Sequence, residues 1–254
     1  MTANKNAETI FVPQCWEDLE LTLQKNKLDE LRRLNYGKET IALLLHGNAG
    51  LGKTALARFL ARSLACHGVC ESLDDPCGTC SACKLNWTSR RWGDNGVAEI
   101  DCTGGTPADV VDRIDAHTKY RSVCGVGKLN KSIVILDEVH RNRGVLSDRL
   151  LKMLEEPSGN VFLLVTNKPD VLEEAVIQRC LDYELRKPDL ADAQNWLQGV
   201  LARNEINASV ETIAGLVGES NGIPRLIRSA VRRRMRVGDD GLTTIDLVEE
   251  EAQI

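Results

Sequence analysis

Residues 41–54 read Ile41-Ala42-Leu43-Leu44-Leu45-His46-Gly47-Asn48-Ala49-Gly50-Leu51-Gly52-Lys53-Thr54. The first six form a short, continuous apolar run, which suits a strand buried on both faces of a parallel sheet. Gly47 to Thr54 match GxxxxGK[ST]. Glycines in that spacing let the backbone curl and aim its N–H groups at a phosphate. Residues 54–66, TALARFLARSLAC, are strong helix formers, and a helix starting at the loop adds the positive end of its dipole. Strand, glycine loop and helix in this order predict a nucleotide-phosphate site. Its candidate contacts are Gly47, Asn48, Ala49, Gly50, Leu51, Gly52, Lys53, Thr54 and Ala55. Lys53 is expected to reach the β- and γ-phosphates of ATP, and Thr54 to hold Mg²⁺ through its hydroxyl.

The same alternation continues outward. VAEIDC (97–102), KSIVILDEVH (131–140), NVFLLVTN (160–167) and LDYEL (181–185) read as further strands. PADVVDRIDAH (107–117) and GVLSDRLLKMLEEP (144–157) read as helices, the first with Pro107 in its opening turn, the second stopped by Pro157. Strands alternating with helices predict an α/β domain with a five-stranded parallel sheet, covered on both faces. A helix is expected over 16–35, closed by Gly37. After Pro188 the pattern turns purely helical, with helices near 189–204, 208–219 and 222–235. VGDDGL then breaks the chain, and TTIDLVEEEAQI is expected as a short helix or an acidic tail. The expected division is an α/β domain over 1–186, a helical domain over 187–238 and a terminal segment over 239–254.

Ile133-Val134-Ile135-Leu136-Asp137-Glu138 puts two carboxylates at the end of a buried strand, where open α/β sheets bind ligands. Asp137 is placed to bind Mg²⁺ directly or through water. Glu138 is placed to polarise the water that attacks the γ-phosphate. A base is not needed for binding alone, so the pair points to hydrolysis.

The chain has 254 residues, a net charge of −5, 43% hydrophobic and 27% charged residues, the balance of a globular protein. The absence of any run of 18 apolar residues excludes a membrane-spanning helix. Residues 1–14 lack the apolar stretch of a signal peptide, so a reducing, cytoplasmic setting is expected. Nine cysteines there point to metal or redox chemistry rather than disulfides. Cys77-Gly-Thr-Cys80-Ser-Ala-Cys83 is a CxxCxxC run, with Cys70 and Cys66 upstream. Four thiolates suit a closed, structural zinc site that staples a small insertion over about 66–87. Cys70 is the expected fourth ligand and Cys66 its alternative. An iron–sulfur cluster is the chemical rival.

HGNAGLGKTALARFLARSLAC, PCGTCSAC, ILDEVH with its uncommon His140 ending, and LLKMLEEPSGNVFLLVTNKPDVLEEAVIQRC occur in this order. Over about residues 11–235 the chain resembles AAA+ ATPases of the clamp-loader group, in particular the gamma/tau subunit family of bacterial DNA polymerase III. That resemblance implies an AAA+ core, a zinc module and a helical lid, with ATP bound between core and lid. It gives Asn167 the sensor 1 position, contacting the γ-phosphate or attacking water. It makes Arg179 an arginine finger that completes a neighbouring subunit's site, and Arg225 the sensor 2 arginine of the lid. Val12-Pro13-Gln14 is similar to the segment lying against the adenine, although Val12 stands where the family usually has arginine and the following Gly-Gln pair is missing. Gln178 replaces the serine before the finger.

The resemblance implies ATP hydrolysis in DNA replication, in a ring or arc of related AAA+ subunits, with a sliding clamp, polymerase subunits or DNA as further partners and no membrane partner. The family's third helical domain, the collar, is not expected in 254 residues. A collar-less ATPase for helicase loading, transposition or a mobile-element or defence system is one alternative. A stator that binds ATP and zinc with little turnover is another. The arginine cluster Arg225, Arg228, Arg232, Arg233, Arg234 and Arg236 either tracks a phosphate backbone or forms a solvated helix face.

Overall fold

The structure is a computed structural model and describes residues 9–36, 39–66, 75–85, 96–119, 132–141, 144–237 and 243–245. Five parallel strands, β1 (Ile41–His46), β2 (Val97–Asp101), β3 (Ile133–Asp137), β4 (Val161–Thr166) and β5 (Leu181–Glu184), form one sheet in the order β2-β3-β4-β1-β5. The inner strands are buried on both faces. Leu43, Leu44, Leu45, Val134, Ile135, Leu136, Leu163 and Leu164 all have at most 1% of their surface exposed. Neighbours that close leave room only for apolar side chains, which is why these strands lack polar alternation.

Helix α2 (Lys53–Ala65) contacts β1, β3 and β4. Helices α3 (Pro107–Lys119) and α4 (Val145–Glu155) pack against each other and share a core with Ala42, Leu44, Val134, Leu136, Phe162 and Leu164. Those sheet residues alternate along their strands, so they line one face. Helix α3 opens on a reciprocal cap. The Asp109 N–H donates to Thr106 Oγ1 (3.2 Å), and the Thr106 N–H donates to Asp109 Oδ2 (2.7 Å). A buried ion pair joins α2 to the edge strand: Arg58 Nε and Nη2 each lie 2.8 Å from a carboxylate oxygen of Glu99, whose side chain is fully buried.

The helix expected over 16–35 is two pieces, a 3-10 turn at Trp16–Leu19 and α1 (Lys25–Arg33). Its apolar residues Trp16, Leu19, Leu23, Leu28 and Leu31 are all buried. The two pieces are separated by residues 20–24, which are not helical. Gly37 lies outside the described residues.

By contact the chain separates into two compact units. One comprises Pro13–Ala49 and Lys53–Arg186; the other comprises residues up to Val12, Gly50–Gly52 and residues from Lys187 onward. The second unit contains α6 (Leu190–Arg203), α7 (Val210–Glu219) and α8 (Pro224–Arg234). Asp189 and Ser209 cap α6 and α7 by accepting from the N–H groups of Asp192 and Thr212. Within this unit the rings of Phe11 and Trp196 lie 5.7 Å apart.

The purely helical expectation after Pro188 is corrected. Strands β6 (Ile206–Asn207), β7 (Met235–Val237) and β8 (Thr243–Ile245) form a small sheet in the order β6-β8-β7. Thr243 and Ile245 are buried while Thr244 is half-buried. That period of two marks a strand, so the start of TTIDLVEEEAQI is neither helix nor tail. Residues 246–254 lie outside the described residues. Among the described residues no helix is long and apolar enough to cross a membrane.

Candidate nucleotide and metal sites

Gly47 has φ +130, and a Cβ there would meet the Leu185 carbonyl oxygen at 2.3 Å. That carbonyl belongs to the segment that continues β5 alongside β1, where the Leu185 N–H donates to His46 O at 2.8 Å. Only glycine fits the first turn of the loop. Gly50 has φ +87. A Cβ on it would meet Ile223 Cγ2 at 2.9 Å, and its carbonyl accepts from the Arg225 N–H at 3.2 Å. Leu51 is buried, Gly52 has φ +92 and Ala55 is half-buried.

Lys53 is 8% exposed and donates to the carbonyls of Gly47 and Asn48, each at 2.8 Å. The ammonium therefore lies across the mouth of the loop. Ala49 precedes the turn at Gly50. Thr54, in the first turn of α2, places Oγ1 at 3.4 Å from Asp137 Oδ1. A hydroxyl and a carboxylate this close suit two ligands of one hard cation such as Mg²⁺.

Asp137 ends β3 and is 8% exposed. Glu138 follows with φ +56, in the left-handed region that few non-glycine residues adopt. Its carboxylate is more open than that of Asp137, with 37% of the side chain exposed. The sheet order puts β4 between β1 and β3, and the register pairs both Leu45 and Asp137 with Val165. Asn167 follows Thr166 at the end of β4 and is exposed. The glycine loop, Asn167 and the two acids thus leave the same edge of three adjacent strands.

The remaining expected residues sit on other elements. Arg179 follows α5 (Glu174–Ile177). Its Nη1 donates to Ala175 O at 2.9 Å and its Nη2 lies 2.5 Å from Glu155 Oε1. Arg225 is exposed on α8. Val12 and Pro13 are half-buried. The Pro13 carbonyl accepts from Arg62 Nη2, and Gln14 Oε1 accepts from Arg62 Nη1 at 3.5 Å. Burial draws the Arg62 guanidinium below its usual range, opposed by charge on Cys83, Asp18, Cys66 and Asp75.

The thiols of Cys66, Cys77, Cys80 and Cys83 lie within 4.8 Å of one another and could hold a metal ion. The upstream member of this set is Cys66, the alternative above; the expected Cys70 lies outside the described residues. The N–H groups of Cys77, Cys80 and Cys83 point at the sulfurs of Cys66, Cys77 and Cys80, at 3.3, 3.4 and 3.4 Å. Hydrogen bonds led by the Thr79 hydroxyl lower the Cys77 thiol to about 5. A thiol held near its ionised form is ready to ligate.

The family described as DNA polymerase III, delta subunit, matches residues 23–189. The chain belongs to that family. It is 30% identical over 208 residues to the tau/gamma subunit of DNA polymerase III from Haemophilus influenzae, covering 80% of this chain and 28% of that protein. It is 31% identical over 214 residues to the tau subunit of Escherichia coli, covering 83% and 32%. Protein STICHEL-like 3 of Arabidopsis thaliana is 26% identical over 217 residues, covering 84% and 18%. The chain therefore spans about a third or less of the length of these relatives.

Among solved structures, the Thermotoga maritima RuvB Holliday junction branch migration motor matches with a TM-score of 0.54 at 16% identity, over 89% of this chain and 65% of that one. A single-residue variant of the same RuvB matches over the same shares with a TM-score of 0.59. At that identity the likeness concerns the fold, a five-stranded parallel sheet with C-terminal helices.

Three contacts of this DNA polymerase III family member were not legible beforehand: Glu155 on Arg179, Arg62 on Pro13 and His140 on Glu138. The first two join residues 24 and 49 positions apart, and no local pattern announces such pairs. His140 did carry a signal, as an imidazole two residues beyond the acids.

Proposed function

We propose that this protein is an ATP-hydrolysing AAA+ subunit that acts in DNA replication in the manner of a clamp-loader subunit. The observation that carries the reading is the approach of Thr54 Oγ1 to Asp137 Oδ1 at 3.4 Å, beside Lys53 and Glu138. This constellation supports phosphoryl transfer to water rather than nucleotide storage.

The glycine-loop amides and Lys53 would grip the phosphates. Thr54 and Asp137 would hold Mg²⁺, which supplies charge neutralisation of the β- and γ-oxygens when bound. Glu138 would orient the attacking water and draw its proton, while Asn167 would fix that water or the γ-phosphate. Arg179 would project toward the site of an adjacent AAA+ subunit and stabilise transition-state charge there. Residues 187–238 would serve as the lid, with Arg225 as its nucleotide contact and Val12-Pro13 beside the adenine. Grip on a sliding clamp, polymerase subunit or DNA would then follow the nucleotide state in the cytoplasm.

Cys66, Cys77, Cys80 and Cys83 would hold zinc. The Sγ atoms of Cys77 and Cys83, and those of Cys80 and Cys66, are each 4.0 Å apart. Zn–S bonds of about 2.3 Å at tetrahedral angles set sulfur edges of about 3.8 Å. With all four positions filled by protein, zinc would act only as a staple.

Steady-state hydrolysis together with nucleotide binding tests the proposal. Lys53→Ala is expected to abolish binding. Glu138→Gln is expected to keep binding and lose turnover, and unchanged turnover would remove the base from the scheme. Arg179→Ala is expected to lose turnover that a Lys53→Ala subunit with an intact finger restores in part. Failure of rescue at every mixing ratio would exclude a finger supplied in trans.

A further inference from the structure

We infer that His140 is a positioning residue for Glu138. Its Nδ1 holds one oxygen of the Glu138 carboxylate against a buried anchor, Thr166, at the end of β4. The inference rests on Glu138 acting on the attacking water.

Glu138 leaves β3 in a left-handed conformation, φ +56, and the chain then makes one 3-10 turn over Val139–Arg141. Such a conformation persists only where its surroundings hold it. On one side the Asp137 carbonyl accepts from the Cys102 N–H at 2.9 Å. On the other, the Glu138 carbonyl accepts from the Arg141 N–H at 3.0 Å, and Val139 is 2% exposed. The backbone is thereby fixed, but a glutamate side chain retains three rotatable bonds.

His140 restricts them. Its side chain is 5% exposed, and Nδ1 lies 3.4 Å from Glu138 Oε2 and 3.0 Å from Thr166 Oγ1. Thr166 is fully buried, and its Oγ1 accepts from the Lys168 N–H at 3.0 Å. A bare nitrogen lone pair would face the lone pairs of the carboxylate. The contact therefore assigns the proton to Nδ1, shared between Oε2 and the Thr166 hydroxyl. With Oε2 held, the second carboxylate oxygen remains for water on the exposed side. Thr166 immediately precedes Asn167, so the acid after β3 and the amide after β4 share one anchor, and a shift of either strand end moves both.

The test uses the full chain with saturating Mg-ATP, in wild type and in His140→Asn, His140→Gln, His140→Leu, Glu138→Gln and the double variant His140→Leu/Glu138→Gln. The Asn amide nitrogen occupies the place of Nδ1, whereas the Gln amide reaches the place of Nε2. His140→Leu and His140→Gln are expected to lower kcat about 10- to 100-fold, with KM and nucleotide affinity within about twofold. His140→Asn is expected to restore kcat to within about threefold of wild type. In the Glu138→Gln background, His140→Leu is expected to cost nothing further. Retained kcat in His140→Leu, or an undiminished loss in that background, overturns the inference while leaving Glu138 in place. Retained kcat in Glu138→Gln overturns the base assignment itself, and the inference with it. Long-range ¹H–¹⁵N correlation on the wild-type chain gives an independent answer that needs no turnover. A protonated Nδ1 is expected, and a bare Nδ1 overturns the geometry.

Discussion

At the end of β3, Asp137 faces Thr54 from a strand 83 residues further along, and five strands in register set the 3.4 Å between them. In the cysteine cluster, three of four sulfurs come from a seven-residue stretch, Cys77 to Cys83, and adjacent N–H groups already point at them. The first site is a by-product of a packed core and exists wherever the sheet exists. The second has almost no core of its own. Ala82 is buried, but Cys77 and Thr79 are exposed, so the proposed metal would supply what apolar burial does not. Two sites in one chain thus draw their rigidity from different physics, and perturbing one source should leave the other site standing.

The largest expected effect is at the sheet edge. Glu138→Gln should lower kcat by about 10²- to 10⁴-fold, with thermal melting and zinc content unchanged. A loss of zinc in that variant would show that the two sites are coupled. Next is the source of the sheet's rigidity. Phe162 is 1% exposed in the central strand β4, and Phe162→Ala should cost about 3–5 kcal/mol in chemical denaturation. Turnover should fall with the folded fraction, and the cluster should still bind metal in the chain that remains folded.

Chelation gives the converse. Removing the proposed metal should expose residues 75–85 to limited proteolysis while nucleotide affinity stays within about twofold. Alkylation at pH 8 then separates the thiols. Cys77, lowered to about 5 by its hydrogen bonds to Thr79, is thiolate and should react first. Cys102 and Cys180, pushed up to about 12 by burial, stay protonated and should not react in the folded chain. Equal labelling of all of them would mean that chelation unfolds the core as well. The smallest effect is expected at an exposed contact that belongs to neither site. Glu155→Gln removes an ion pair whose side chains are 38% and 57% exposed. It should change stability by no more than about 1 kcal/mol, so any larger change in turnover reports on Arg179 rather than on folding.

Much of this was legible in the chain itself. The GxxxxGK[ST] loop, the apolar strand before it and the Asp137-Glu138 pair are local patterns, and each came from periodicity or spacing alone. The limits follow from the same physics. The helix expected over 16–35 is interrupted at residues 20–24, where Leu23 is buried without helical backbone. The strand β8 was missed because three residues, Thr243 to Ile245, carry too little pattern. They become a strand by pairing with residues 206–207 and 235–237. Spacing could not choose between Cys70, the expected ligand, and Cys66; the Cys66 and Cys80 sulfurs lie 4.0 Å apart, and Cys70 lies outside the described residues.

The amino-acid sequence by itself determined which residues could do chemistry here: a phosphate loop, two acids on a buried strand end, and a run of cysteines. It did so because these functions need particular residue types at short, fixed separations. Only the tertiary structure decided which of them meet. The order β2-β3-β4-β1-β5 sets β4 between the loop strand and the acid strand, and the buried Thr166 at its end meets His140 beside Glu138. Strand order is chosen by how apolar faces pack, through contacts between residues scores of positions apart, and no local spacing encodes it.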